Sequence, residues 1–268
     1  MATASARARR RRRAVVAPIV KAYAEHNLLT YAAAIAFQGL VALVPLMLLG
    51  LGLLGATGHK EVWTRHIAPA IQGRVLPGVY RGIDETATRI LDHGTAGLVA
   101  FSVVLSIWYL TAAMRAVIEA LNQIHDVEDD RRWWHRLAVA AGLGTAAGAA
   151  LYGAAVVVIG GPRGVALGLV RWAGAVVLLG LLVTLLVRFA PSQRPRAKWA
   201  SLGALFVVGS WVIASLLFGL FVTYLANFKS PTGTLTSLLV LTSYLFVSTN
   251  VFLIGVQLDE LLRKRRRA

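Results

Sequence analysis

Thr236, Ser243, Asn250 and Gln257 stand seven residues apart inside a stretch of 230–258 that holds no charged side chain. A seven-residue repeat drifts only about 20° per step around a helix, so the four form one polar stripe. Thr242 and Thr249 flank it. Leu239, Phe246 and Leu253 are expected to make the opposite, lipid-facing side. A second set is Trp108, Thr111, Arg115, Glu119 and Asn122, at steps of three and four, which bring side chains near one face of a helix. Arg115 and Glu119 are spaced to pair with each other. Hydrocarbon charges about 2.5–3.5 kcal/mol for a lone arginine at its centre. Polar groups placed there either hydrogen-bond neighbouring helices or mark a route for a polar solute or headgroup. The route reading collects Gln38, Arg115, Glu119, Asn122, Ser243, Asn250 and Gln257, with Glu119 the one acidic candidate for proton coupling.

Other chemistries find little support. There is no phosphate-binding glycine loop and no His-Glu-x-x-His pair. The six histidines show no metal-ligand spacing. The acidic run 126–130 lacks the glycine turn and terminal glutamate of a calcium loop. Beside Arg131 and Arg132 it reads as a solvated, self-paired turn. No nucleophilic serine elbow occurs, and no cysteine is present to form a thiolate site. No catalytic residue, metal or cofactor is expected.

The elements that must carry these residues follow from where charge is missing. Six stretches lack Asp, Glu, Lys and Arg: 27–58, 94–114, 137–162, 172–187, 199–228 and 230–258. About 20 apolar residues cross ~30 Å of hydrocarbon at 1.5 Å each. Five stretches reach that length. The fourth is short, but Arg171 and Arg188 bound it, and arginines snorkel to the interface. The expected fold is all-α, a polytopic bundle of six transmembrane helices filling 15–262. Pro45 should kink the first span by removing a backbone bond; a break or re-entrant bend there is the other reading. Gly144-x-x-x-Gly148 marks a close-packing face on the third span. Two short surface helices are expected in 59–93. From Val15 to Glu25 the apolar residues Val16, Ile19, Val20 and Tyr23 share one side, as in an interfacial amphipathic helix.

The formal net charge is +16, and its distribution argues against nucleic acid. An even number of crossings puts 20 of the 28 basic residues on one side. The positive-inside rule makes that side the cytoplasm. The tail 1–14 should be disordered by self-repulsion, and 263–268 forms a second basic tail. Anionic lipid headgroups are the expected partner of Arg10, Arg11, Arg12, Arg265 and Arg266. The N-terminus has no uninterrupted apolar core and no small-residue cleavage site, so no cleaved signal is expected.

Further landmarks carry a resemblance. They are Ala32-Ala33-Ala34-Ile35-Ala36-Phe37 followed by Pro45, and Trp108 with Leu121-Asn122. Pro191, Trp199-Ala200-Ser201-Leu202-Gly203-Ala204, Trp211, Tyr224 and Gly255-Val256-Gln257-Leu258 follow in order. With these the chain resembles the YihY/BrkB family of bacterial inner-membrane proteins, once labelled ribonuclease BN, over roughly Ile19 to Leu262. It departs at Gln38, Thr232-Gly233, Gln257 and Asp259. The resemblance implies a transporter or flippase of small molecules or envelope lipids. A scaffold docking partners or lipid through its tails is the alternative, and a ribonuclease the least supported. RNA hydrolysis needs acid/base groups or metals converging in a water-filled cleft. Reporter fusions at the two termini should both report the cytoplasm; opposite compartments would overturn the six-crossing topology.

Overall fold

The computed structural model describes residues 21–72, 77–93, 96–160, 165–192, 202–225 and 230–267. Every regular element among them is helical. They are α1 (Leu28–Ala56), a π-helical turn (Trp63–Ile67) running into α2 (Ala68–Gln72), and α3 (Pro77–His93). Next come α4 (Ala96–Ile124), α5 (Trp133–Gly160) and α6 (Val165–Phe189). The chain ends with α7 (Leu202–Leu220), extended by a second π turn (Phe221–Leu225), and α8 (Pro231–Arg267).

Helix is the solution because backbone polar groups in hydrocarbon must be satisfied within their own segment. Four helical stretches are long and apolar enough to cross a membrane: Leu28–Ala56, Ala96–Ile124, Trp133–Ala155 and Leu238–Lys264. Ala173–Phe189 of α6 and Leu205–Leu220 of α7 are apolar but shorter. The all-α class therefore holds, and four of the six expected spans reach crossing length among the described residues. Residues 21–25 are helical. The rest of the expected amphipathic helix, 15–20, and the tail 1–14 with Arg10, Arg11 and Arg12 lie outside the described residues. Asn27 (φ 50°) turns the chain between residues 21–25 and α1; asparagine tolerates that left-handed conformation better than most residues. The basic residues from Arg263 to Arg267 continue α8 as helix.

α1 is the central element. It packs against α4 on one side and α8 on the other; α5 packs on α4, α6 on α5 and α7 on α8. α6 and α7 meet only lightly. The main core gathers where α1 and α7 begin and where α4, α6 and α8 end. Leu28, Leu121, Ile124, Ala140, Leu186, Val207 and Leu253 all lie in it. α1 runs unbroken through Pro45, which is buried, so the re-entrant alternative is not what the chain adopts.

Small residues set the helix spacing. A Cβ on Gly52 would lie 2.9 Å from Val99 of α4. One on Gly144 would lie 3.0 Å from the Leu110 backbone, and one on Gly148 3.0 Å from Leu110 Cδ1. The expected packing face of α5 is thus applied to the middle of α4. Tyr152 of α5 donates its hydroxyl hydrogen to the Leu46 carbonyl of α1. Its ring lies 3.4 Å from where a Gly50 Cβ would sit.

The expected surface helices of 59–93 are present and cap the far end of α1. Trp63, Ala68, Ala87 and Leu91 form a satellite core with Leu51 and Leu54 beneath. Trp63 Nε1 donates to Asp84 Oδ1 at 2.9 Å. Lys60 Nζ meets Asp92 Oδ1 at 2.7 Å, and that bond and charge hold the Asp92 carboxyl below its ordinary range.

Backbone cannot yield as a flexible side chain does, so Gly144→Ala should cost about 1–3 kcal/mol as an overpacked contact. Gly142→Ala, whose Cβ would meet nothing within 4 Å, should be neutral or stabilising by up to about 1 kcal/mol. Thermal unfolding of both variants in detergent distinguishes them.

Candidate functional site

The α8 stripe changes character along its length. Thr236 and Ser243 are exposed, Asn250 is half-buried, and Gln257 is 1% exposed. The hydroxyls satisfy themselves within α8. Thr236 donates to the Thr232 carbonyl at 2.8 Å and Ser243 to Leu239 at 2.9 Å. Thr242 and Thr249 likewise bond one turn back. They are therefore not interhelical glue. Among the described residues only the two amides of the stripe cross to another segment. Asn250 Oδ1 accepts from the Tyr23 hydroxyl, and Gln257 Oε1 lies 3.4 Å from His26 Nδ1. Both partners precede α1, so the stripe is closed at this end by residues 21–27.

Leu239, Phe246 and Leu253 do not make the opposite, lipid-facing side expected: each follows a stripe residue by three, about 60° around the helix at ~100° per residue. Leu239 is exposed, but Phe246 packs against the core and Leu253 is wholly buried. In this half α8 is sandwiched between α1 and α7. Trp211 of α7 donates to the Ser248 carbonyl at 2.8 Å, and its ring stacks on Phe252. Tyr244 stacks on Phe218 and shares a hydrogen bond with Ser215 at 2.8 Å. Trp211 and Tyr244 thus serve packing, as their types suggest.

The closed end is a knot of ionisable groups. His26 Nε2 lies 3.3 Å from Asp126 Oδ1, and Lys264 pairs with the other oxygen of Asp126. His125 Nε2 lies 3.8 Å from Glu260 Oε2, and Arg263 reaches Glu260 Oε1 at 2.7 Å. Glu260 is 2% exposed. A carboxylate so buried persists only when paired, and the pairing ties the end of α4 to the end of α8. His125 Nδ1 also lies 2.7 Å from the Leu121 carbonyl.

The acidic turn after α4 is the other half of the knot, and it is more than the solvated turn expected. Asp129 does pair with its neighbour Arg131, at 2.9 and 3.2 Å. It also takes a hydrogen bond from Asn122 Nδ2 at 3.3 Å and faces Arg136 at 3.6 Å. Arg131 continues to the Ala190 carbonyl at 2.9 Å. Asn122 Oδ1 accepts from the Ser192 backbone N–H at 2.9 Å. Asn122, 6% exposed, therefore joins the turn to the end of α6. Burial alone would raise the Asp129 carboxyl. The hydrogen bonds from Arg131, then the charges of Arg131 and Arg136, outweigh burial and hold it below its ordinary value. The Lys264 hydrogen bond does the same for Asp126, against burial and with help from the Lys264 and His26 charges.

The remaining expected residues do not join this site. Arg115 and Glu119 are exposed on α4, and Trp108 is 71% exposed on the same side. Among the described residues Arg115 and Glu119 pair neither with each other nor with any other charged group. Thr111 and Asn122 are buried. The burial boundary runs along the face that all five were expected to share, because Thr111 and Asn122 sit about 40–60° around the helix from Trp108 at ~100° per residue. Gln38 is half-buried in α1 without a side-chain hydrogen bond among the described residues. Arg265 and Arg266 continue α8.

His26, His125, Asp126, Glu260 and Lys264 were missed as a group, yet two signals were available. Lys264 is the next seven-residue step after Gln257, and Glu260 lies one turn from it between Leu258 and Leu261. Among the described residues no three His, Cys, Asp or Glu side chains form a group able to hold a metal ion.

Comparison with known proteins adds a family. The family described as virulence factor BrkB matches residues 19–268. The ribonuclease-like protein YfkH of Bacillus subtilis (strain 168) is 22% identical over 260 residues, covering 91% of this chain and 94% of the relative. No solved structure matches.

Asp129→Asn should destabilise by roughly 1.5–3 kcal/mol at pH 7, the range for charge-assisted hydrogen bonds. The native carboxyl is depressed, so its contribution is full above the ordinary carboxylate value and vanishes as pH falls through the lower native one. Thermal melts from pH 7 to pH 3 should therefore show the gap between parent and variant narrowing toward the acid end. A constant gap would refute the assignment.

Proposed function

The chain belongs to the BrkB family, and from that footing we propose that this membrane protein is a translocase for a polar-headed amphiphile of the bacterial envelope. α6 and α7 complete six crossings, and the basic ends lie in the cytoplasm of an inner-membrane protein. The observation that carries the reading is the gradient along α8. Its stripe is open at Thr236 and Ser243 and bolted at Asn250 and Gln257 by Tyr23 and His26. A headgroup can follow such a stripe from the membrane side while its chains stay in lipid. A route for a fully enclosed solute would be polar and sheltered along its whole length. Asn250 and Gln257 are the binding groups of the route and Asn122 braces its floor. Arg10, Arg11, Arg12, Arg265 and Arg266 contact anionic headgroups at the cytoplasmic surface.

No reaction is proposed. The relative's name mentions ribonuclease, but the titratable groups nearest the stripe are tied to one another, His125 to Glu260 and His26 to Asp126. A general acid or base must instead reach its substrate.

The test is exchange of fluorescent phospholipid between leaflets in proteoliposomes. The parent should accelerate exchange. Replacing both Asn250 and Gln257 by Leu should reduce the rate about tenfold, as the loss of about 1.4 kcal/mol of stabilisation would, in protein that stays folded but melts lower for want of the Tyr23 and His26 contacts. Trimming residues 1–13 and 264–268 should leave most of the exchange intact. Parent exchange no faster than in protein-free vesicles, or an unaffected double variant, would sink the proposal. Loss on trimming alone would favour the scaffold reading.

A further inference from the structure

The outer face of α4 carries ionisable groups where a single bundle has no use for them. Leu110 marks the middle of the bundle. It is near the midpoint of α4 and meets Gly144 and Gly148, which flank the midpoint of α5. At 1.5 Å per residue Arg115 lies about 7 Å and Glu119 about 13 Å from that level. Both fall within the ~15 Å half-thickness of hydrocarbon. Ionisable residues at such depths almost always face the interior of a bundle and pair there. These two face outward, with no ionic partner among the described residues.

The surrounding surface is shaped for another helix. Phe101, Val104 and Trp108 are 58%, 63% and 71% exposed. With Arg115 they fall at steps of three, four and seven, the spacing with which two parallel helices meet along a seam. α1 and α5 cover the other sides of α4, leaving this stripe as its free face.

We propose that a second copy of this chain covers the stripe. The two α4 helices lie side by side about a two-fold axis along the membrane normal. Arg115 of each copy pairs with the partner's Glu119. Charge complementarity selects a copy over other occupants. In a two-fold contact residue i meets j and j meets i, so one Arg and one Glu a turn apart make two reciprocal pairs. An anionic lipid headgroup would satisfy Arg115 but be repelled by Glu119. The four-residue offset separates their levels by about 6 Å, a distance the long, flexible Arg115 side chain can span.

The full-length protein tests this with two reversals, Arg115→Glu and Glu119→Arg, each with a different affinity tag. Either variant alone places like charges across the seam and should elute as a monomer. Co-expressed, each supplies what the other lacks. The mixed pair should then be captured by sequential affinity steps at roughly tenfold or more over the like pairs. Pairing inside one helix cannot produce that preference. A second measurement needs no charge change. The chain has no cysteine, so Trp108→Cys in the otherwise unaltered protein places one thiol on the stripe. Oxidation in native membranes should give a two-chain band. Mixed pairs no more abundant than like pairs would overturn the proposal. So would a Trp108→Cys chain that stays monomeric on oxidation, or native mass spectra showing a single copy with phospholipid attached.

Discussion

Glu260 is a carboxylate sealed inside an apolar bundle, and that single burial constrains the whole closed end. Arg263, one turn along α8, bonds it at 2.7 Å, and His125, from the turn after α4, lies 3.8 Å away. Withdrawing Arg263 would strand that charge out of water, a far larger penalty than a lost surface contact. The ends of α4 and α8 are therefore held in one register. Gln257, one turn back, meets His26, and Lys264, one turn on, meets Asp126. Through Asn122 and Asp129 the same constraint passes to Arg131 and on to the end of α6. The apolar core lies beside this knot, so polar specificity and hydrophobic burial act together. The apolar residues would tolerate several helix registers, whereas the ion pairs accept one.

Much of the fold was written into the chain's charge-free runs. Their positions located every long helix, because solvation of charge is unforgiving and leaves a one-dimensional record. The close-packing face of α5 was equally readable, since a glycine four residues from another announces a place where backbones come close, although not that α4 would fill it. Burial of single faces was harder. Leu253 and Phe246 were expected to meet lipid on the side away from the polar stripe, but three residues from Asn250 and Ser243 they stand only about 60° from it. In a membrane, however, apolar side chains suit lipid and neighbouring helices alike, so hydrophobicity alone does not say which surrounds them.

The candidate site was legible in the same uneven way. The amides Asn250, Gln257 and Asn122 were found by spacing, and the structure places all three at the closed end. Their partners were not found, because Tyr23 and His26 lie far in sequence from Asn250 and Gln257, as Ser192 does from Asn122, and all three belong to segments that read as surface. Arg115 and Glu119 stood out by type, but a helical projection gives their direction only relative to Trp108, not whether that direction points inward. The acidic turn illustrates a limit of local reading. Asp129 does pair with Arg131 beside it, yet its further bonds to Asn122 and Arg136 come from helices on both sides.

α7 has a consequence for how the chain is made. Among the described residues its packing is almost wholly against α8, with only a light touch on α6. Synthesis delivers α7 first. Until the following helix emerges, Trp211, Ser215 and Phe218 have none of the groups they will bind. The two helices must therefore mature as a hairpin, and a ribosome pausing between them would leave the first unanchored beside a half-built bundle.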